Sequence, residues 1–212
     1  MKVLDLTAID AAPLNTDPFD FLVVPGCIRT EGLTKVNADY PPIDRPGNLS
    51  LEDIEYGPVF EQFLAELSGP ELAEHIGRKF GLDLSESPTT VTVRKYCERS
   101  DGNIHTDHPS KIITVLVYFN QDWTNEEGQL RMLRSASDIE DYAAEVAPLG
   151  GTLLAFRRTD DSYHGHKPFV GERRMVQMNY LKANRLSQWK QHIDRLGTRT
   201  MKKAIRLFSP SA

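Results

Sequence analysis

From Thr89 to Leu181 the chain is a succession of short β-branched and apolar runs, and this limits the folds open to it more than any other feature. The runs fall at 91–96, 112–119, 129–133, 152–156, 169–170 and 175–181, and their residue types suit a pleated surface. Turn-forming groups separate them at Ser100-Asp101-Gly102-Asn103, Asn125-Glu126-Glu127-Gly128, Gly150-Gly151 and Val170-Gly171. Short strands punctuated in this way build sandwiches or barrels. Ahead of them, Phe60, Phe63, Leu64 and Leu67 share one helical face, Ser68-Gly69-Pro70 breaks it, and Leu72, Ile76 and Phe80 define a second helix. The expected fold class is mainly β with flanking helices (α+β). We expect one domain over 1–212, with a core barrel about 89–181, helices about 57–80 and a helical extension about 183–206.

Smaller features fill in the ends. Phe21-Leu22-Val23-Val24 closed by Pro25-Gly26 reads as a strand and turn, with a short helix after it. Residues 40–50, with Pro41, Pro42, Pro46 and Gly47, read as a loop: a surface connection or a lid over a substrate. Leu186, Trp189, Ile193 and Leu196 lie at helical spacing in a segment where eight Lys or Arg face one Asp, the pattern of a solvated basic face.

A net charge of −5 gives no whole-protein basic field, so nucleic acid is not an expected partner, and a small molecule or a protein is. Cys27 and Cys97 stand alone without zinc-ribbon or redox spacing. The first residues lack the apolar run of a signal peptide, and no run reaches the ~18 apolar residues of a membrane span. We therefore expect a cytoplasmic protein with no membrane contact.

Four of the six histidines fall in two short segments, Ile104-His105-Thr106-Asp107-His108 and Ser162-Tyr163-His164-Gly165-His166. If the first segment is a strand, His105 and Asp107 project to one side and Thr106 to the other. A third ligand must then come from another strand, and His164 is placed to supply it. Two imidazoles and one carboxylate with open positions suit non-haem Fe(II). Regular strands would turn His108 and His166 away, toward structural or substrate-facing roles. A zinc hydrolase using His105, Asp107, His108 and His164 is a rival, although no glutamate stands in a general-base motif. Another rival is a jelly-roll binding domain without turnover. Of the other two histidines, His75 reads as a surface or core-edge group. Arg173 and Arg174 follow the second cluster, and a guanidinium there could neutralise the far carboxylate of a metal-chelating 2-oxo acid.

Read in order, Val117-Tyr118-Phe119-Asn120-Gln121-Asp122-Trp123, Glu127-Gly128-Gln129-Leu130-Arg131, Gly151-Thr152-Leu153-Leu154-Ala155-Phe156, His164 and Arg173 resemble the 2-oxoglutarate/Fe(II)-dependent oxygenase superfamily, prolyl hydroxylase type. The resemblance spans about 91–181. It implies a double-stranded β-helix, or jelly roll, with Fe(II) held by His105, Asp107 and His164. The co-substrates would be 2-oxoglutarate and O2, with ascorbate as a candidate accessory. Arg173 or Arg174 would bind 2-oxoglutarate, assisted by Tyr118 and Tyr96. Strand alternation favours Arg173: if it faces inward, so do Met175, Gln177 and Asn179, while Val176, Met178 and Tyr180 pack on the helices. Relatives that halogenate lack the carboxylate, so Asp107 favours hydroxylation, with succinate and CO2 as co-products. Prolyl side chains, amino acids or other small molecules are the substrates the resemblance suggests. Tyr163 departs from it, since many relatives have tryptophan there.

Overall fold

The structure, a computed structural model, describes residues 2–183. The helical extension expected over 183–206 lies, but for its first residue, outside that range. In chain order the elements are α1 (Leu6–Ala11), β1 (Phe21–Val24), α2 (Thr30–Ala38), β2 (Leu49–Ser50), a 3-10 turn (Leu51–Asp53), α3 (Pro58–Leu67), α4 (Pro70–Phe80), β3 (Thr89–Cys97), β4 (Lys111–Tyr118), β5 (Leu130–Leu133), β6 (Tyr142–Val146), β7 (Leu153–Arg157), β8 (His164–Gly165) and β9 (Gly171–Leu181).

Each of the two longer helices begins with proline at its first position, where the missing N–H has no partner to lose. Helix α4 ends on Gly81 at φ +63°, the left-handed cap that glycine adopts without a Cβ penalty. Phe60, Phe63 and Leu67 of α3, with Leu72 and Ile76 of α4, are wholly buried. Each such side chain contributes about 1.5–3 kcal/mol by leaving water.

Six strands form one sheet in the order β1-β7-β4-β9-β3-β2, and three form a second in the order β6-β5-β8. The pairings are antiparallel. Alternation gives the large sheet two different faces. Ile113, Val115 and Val117 of β4 and Val176, Met178 and Tyr180 of β9 join the core beneath the helices. Leu116, Tyr118, Leu154, Phe156 and Met175 turn the other way and pack with Leu130, Met132 and Val146 of the small sheet. The two sheets thus face each other as a double-stranded β-helix. No helix among the described residues is long and apolar enough to cross a membrane.

Some sequence expectations change. Residues 169–170 form no strand, and Val170 is 70% exposed; β9 instead begins at Gly171 and runs unbroken to Leu181. Strand β6 is half-exposed along most of its length and so lacks an apolar signal. Residues 40–48 are a loop, as expected. Tyr40 and Ile43 are buried in the helix-side core, and β2 closes the segment as an edge strand on β3. His75 sits at the molecular edge, with Nδ1 2.9 Å from Asp10.

Candidate metal centre and adjoining cavity

The two histidine segments meet through the backbone. His105 N–H donates to the His164 carbonyl (3.1 Å) and His164 N–H donates to the His105 carbonyl (3.0 Å). This isolated bridge is the regular structure of the first segment; residues 106–108 are not a strand, contrary to the expectation for His105-Thr106-Asp107. The side chains converge nevertheless. One ligand atom from each of His105, Asp107 and His164 lies within 4.8 Å of the others. Gly165 permits the close approach: a Cβ there would stand 2.7 Å from the Gly102 carbonyl oxygen.

Hydrogen bonding fixes which histidine nitrogens are available. Nδ1 of His105 lies 2.8 Å from the Asn103 carbonyl, and Nδ1 of His164 lies 3.0 Å from the Ser162 carbonyl. A carbonyl can only accept, so each Nδ1 carries the proton and each Nε2 presents a lone pair. Burial, only partly opposed by Asp107, holds the His164 pKa down at about 4, so the ring is neutral and competent as a ligand. Burial pushes the Asp107 carboxyl up, but Lys111, His164 and hydrogen bonds from Lys111 and Thr114 outweigh it and keep the group below the usual range, and hence ionised. Two imidazoles and one carboxylate are the donor set that fits non-haem Fe(II).

These groups line a cavity of about 310 Å³ together with Arg173, Leu116, Phe156 and Met175. Arg173 is 3% exposed. Its Nε donates to the Gly128 carbonyl (2.8 Å), and Nη2 stands 3.5 Å from the Tyr118 hydroxyl. Arg174 lies on the other side of the strand, where it pairs with Glu172, stacks 5.4 Å from the Tyr40 ring centroid and lines a separate groove of about 300 Å³. The structure thus brings Arg173 to the triad's cavity and leaves Arg174 outside.

Tyr96 also lies outside, which corrects its expected place in the pocket. A register shift between Arg94 and Tyr96 breaks the alternation of β3, and Arg94 is the residue that reaches the cavity. There Arg94 donates to Asn48 of the 40–50 segment (2.9 Å) and pairs with Asp101 (2.8 Å). His108 turns aside, with Nδ1 2.8 Å from the Ser110 hydroxyl, and takes no place in the ligand cluster that a zinc hydrolase would need. His166, by contrast, faces the same cavity as His164, held by the Lys167 carbonyl at 2.8 Å. Burial first, then the charge of Arg173, lowers its pKa to about 4.

Arg94, Asn48, Gln177 and the Lys111–Thr114 pair are site residues that the motifs do not mark. The available signal was alternation: Thr90, Thr92 and Arg94 on β3, and Gln177 and Asn179 on β9, are polar at every second position of strands whose other face is apolar.

Residues 91–182 match the 2OG-Fe(II) oxygenase superfamily. No curated protein matches the sequence. Among solved structures, a prolyl-4-hydroxylase from Pseudomonas putida superposes with a TM-score of 0.56 at 16% identity, over 84% of this chain and 94% of that one. An oxidoreductase of the 2OG-Fe(II) oxygenase family from Burkholderia pseudomallei gives 0.54 at 12% identity, over 84% and 91%. The viral collagen prolyl hydroxylase of Paramecium Bursaria Chlorella virus-1 gives 0.52 at 14% identity, over 79% and 92%.

Proposed function

We propose that the protein, whose residues 91–182 match the 2OG-Fe(II) oxygenase superfamily, hydroxylates a C–H bond of a prolyl, amino-acid or other small-molecule substrate, with succinate and CO2 as co-products. The observation that carries this reading is the convergence on one cavity of His105, Asp107, His164 and the buried Arg173. Nε2 of each histidine and the Asp107 carboxylate would hold Fe(II), which supplies activation of O2 coupled to oxidative decarboxylation of 2-oxoglutarate.

The protein's own part is to bind and orient. The Nδ1 hydrogen bonds of His105 and His164 lock both rings with their lone pairs toward one point. Arg173 would take the far carboxylate of 2-oxoglutarate, with the wholly buried Tyr118 hydroxyl beside its Nη2. Leu116, Leu130, Phe156 and Met175 add apolar surface to the same cavity, and a less polar surrounding strengthens the ionic contact. Asn48, Arg94, His166 and Gln177 offer hydrogen-bonding groups to the substrate. The prolyl hydroxylases among the structural neighbours support a prolyl or proline-like substrate. Cys27 and Cys97, both buried and unpaired, fit a reducing compartment, and we read the protein as cytoplasmic.

The test is succinate formation from 2-oxoglutarate under Fe(II) and O2, screened against free amino acids and proline-containing peptides. Turnover that requires Fe(II) and disappears in His105→Ala is expected. Hydrolytic activity supported by zinc alone, without consumption of 2-oxoglutarate, would overturn the proposal.

A further inference from the structure

Both oxygens of Asp107 are engaged by the protein itself. Lys111 Nζ lies 2.6 Å from Oδ1, and the Thr114 hydroxyl donates to Oδ2 at 2.5 Å. The Lys111 side chain is 3% exposed and that of Asp107 9%, so this ion pair is almost entirely out of water. A buried ammonium needs a counter-charge, and this one faces the carboxylate assigned above to the metal.

The two contacts on Asp107 do different things. Thr114 also lies 3.2 Å from the Asn179 side-chain oxygen, which accepts from Gln177 Nε2 at 3.1 Å, and Asn179 Nδ2 donates to Thr90 at 3.2 Å. That network spans β3, β9 and β4 and orients the carboxylate without using charge. Lys111 adds a full positive charge on the opposite oxygen. A carboxylate has lone pairs enough to accept from Lys111 and still coordinate a cation, but its single negative charge is then shared. An arriving divalent ion meets a carboxylate already neutralised, and a like charge beyond it in a medium of low dielectric.

We infer that Lys111 is the resident counter-ion of the metal-binding carboxylate: it stabilises the metal-free protein and lowers the affinity of the site for divalent metal. Lys111 is therefore a positioning and tuning residue, not a ligand. The inference rests on the assignment of His105, Asp107 and His164 as the ligands. Linkage makes the two effects reciprocal, because a charge that stabilises the metal-free state through Asp107 must weaken the metal through the same group.

The probe is Mn(II) alone, added to the full chain without co-substrate, with affinity read by calorimetry and stability by thermal melting. Lys111→Met is expected to bind Mn(II) at least about tenfold tighter than the parent, a difference of about 1.4 kcal/mol. Its metal-free form should melt lower, and saturating Mn(II) should raise its Tm by more than it raises the parent's. Lys111→Arg, which keeps the charge, should bind within about threefold of the parent. If Lys111→Met does not fold, Lys111→Gln reads the same comparison. Equal or weaker Mn(II) binding in the neutral variant overturns the inference and leaves the oxygenase reading standing. No Mn(II) binding in either parent or variant overturns the ligand assignment, and the inference with it.

Discussion

Replacing Arg173 with methionine tests the co-substrate pocket most directly. Arg173 is 3% exposed, spends Nε on the Gly128 carbonyl, and directs its other nitrogens toward Met175 sulfur (3.1 Å) and the Tyr118 hydroxyl (3.5 Å). In this reading its terminal nitrogens meet the far carboxylate of 2-oxoglutarate. A hydrogen bond to a charged group contributes about 1.5–3 kcal/mol, and 1.36 kcal/mol is one decade. Arg173→Met should therefore raise the KM for 2-oxoglutarate by about 10- to 150-fold. Because the far carboxylate takes no part in bond making, kcat should change much less. Arg173→Lys keeps the charge without the planar fork and should fall between the two. The assay is the initial rate of succinate formation against 2-oxoglutarate concentration, with Mn(II) affinity as the control for an intact metal site. A KM for Arg173→Met within twofold of the parent, with a clear rise in Arg174→Met, would refute the assignment and with it the parity argument for β9.

Three further outcomes follow from the geometry. His166 is held near a pKa of about 4 against about 6.5 in an unfolded chain, so between those values the unfolded state binds the extra proton and stability falls as pH falls. The difference of about 2.5 units is worth up to roughly 3 kcal/mol, and His166→Asn should flatten the loss of denaturation free energy between pH 6.5 and 4. Gly165→Ala sets a methyl against the Gly102 carbonyl, with a Cβ-to-oxygen approach of 2.7 Å; pushing β8 away should separate His164 from His105 and weaken Mn(II) binding in calorimetry at least about tenfold. Phe63→Ala opens a cavity between α3 and the sheet, where the ring is wholly buried and lies 5.1 Å from Phe119 between centroids. It should cost about 3–5 kcal/mol in urea unfolding and leave the KM for 2-oxoglutarate unchanged.

The fate of individual residues shows what alternation could and could not reveal. The facing of Arg173 was legible because β9 runs unbroken over eleven residues, with Val176, Met178 and Tyr180 on its apolar helix side and Gln177 and Asn179 on the other. Tyr96 was expected in the pocket from the resemblance alone, and the irregular step between Arg94 and Tyr96, which leaves no mark in composition, brings Arg94 to the cavity lining in its stead. The His105–Asp107 pair was found by a strand argument although the segment is not a strand. What alternation captured there was an extended backbone, pinned by one bridge to His164. Strand β8 has two residues, too few for any period. Lys111 was illegible for a different reason: at a strand terminus a lysine reads as solvated, and only the turn through Pro109 and Ser110 folds it back onto Asp107.

The large sheet couples its stability to its chemistry through register. On β4 and β9 the residues facing the helices are apolar, and those facing the small sheet include Thr114, Gln177 and Asn179, paired Thr114↔Asn179 and Leu116↔Gln177 across the ladder. A slip of β9 by one residue would bring Met178 or Tyr180 opposite Thr114 and reverse every side chain of the strand. Asn179 would then be buried in the helix-side core without its partners, at a cost of about 1–3 kcal/mol for each unsatisfied group, while Val176 and Met178 would displace the polar lining of the cavity. The polar contacts that link Thr90, Asn179, Thr114 and Asp107 exist in one register only. The apolar helix-side face selects that register because alternatives expose it, and that selection sets the orientation of the metal-binding carboxylate. The packing of α3 and α4 therefore governs the centre without touching it, since it fixes which residues of β4 and β9 stand opposite one another.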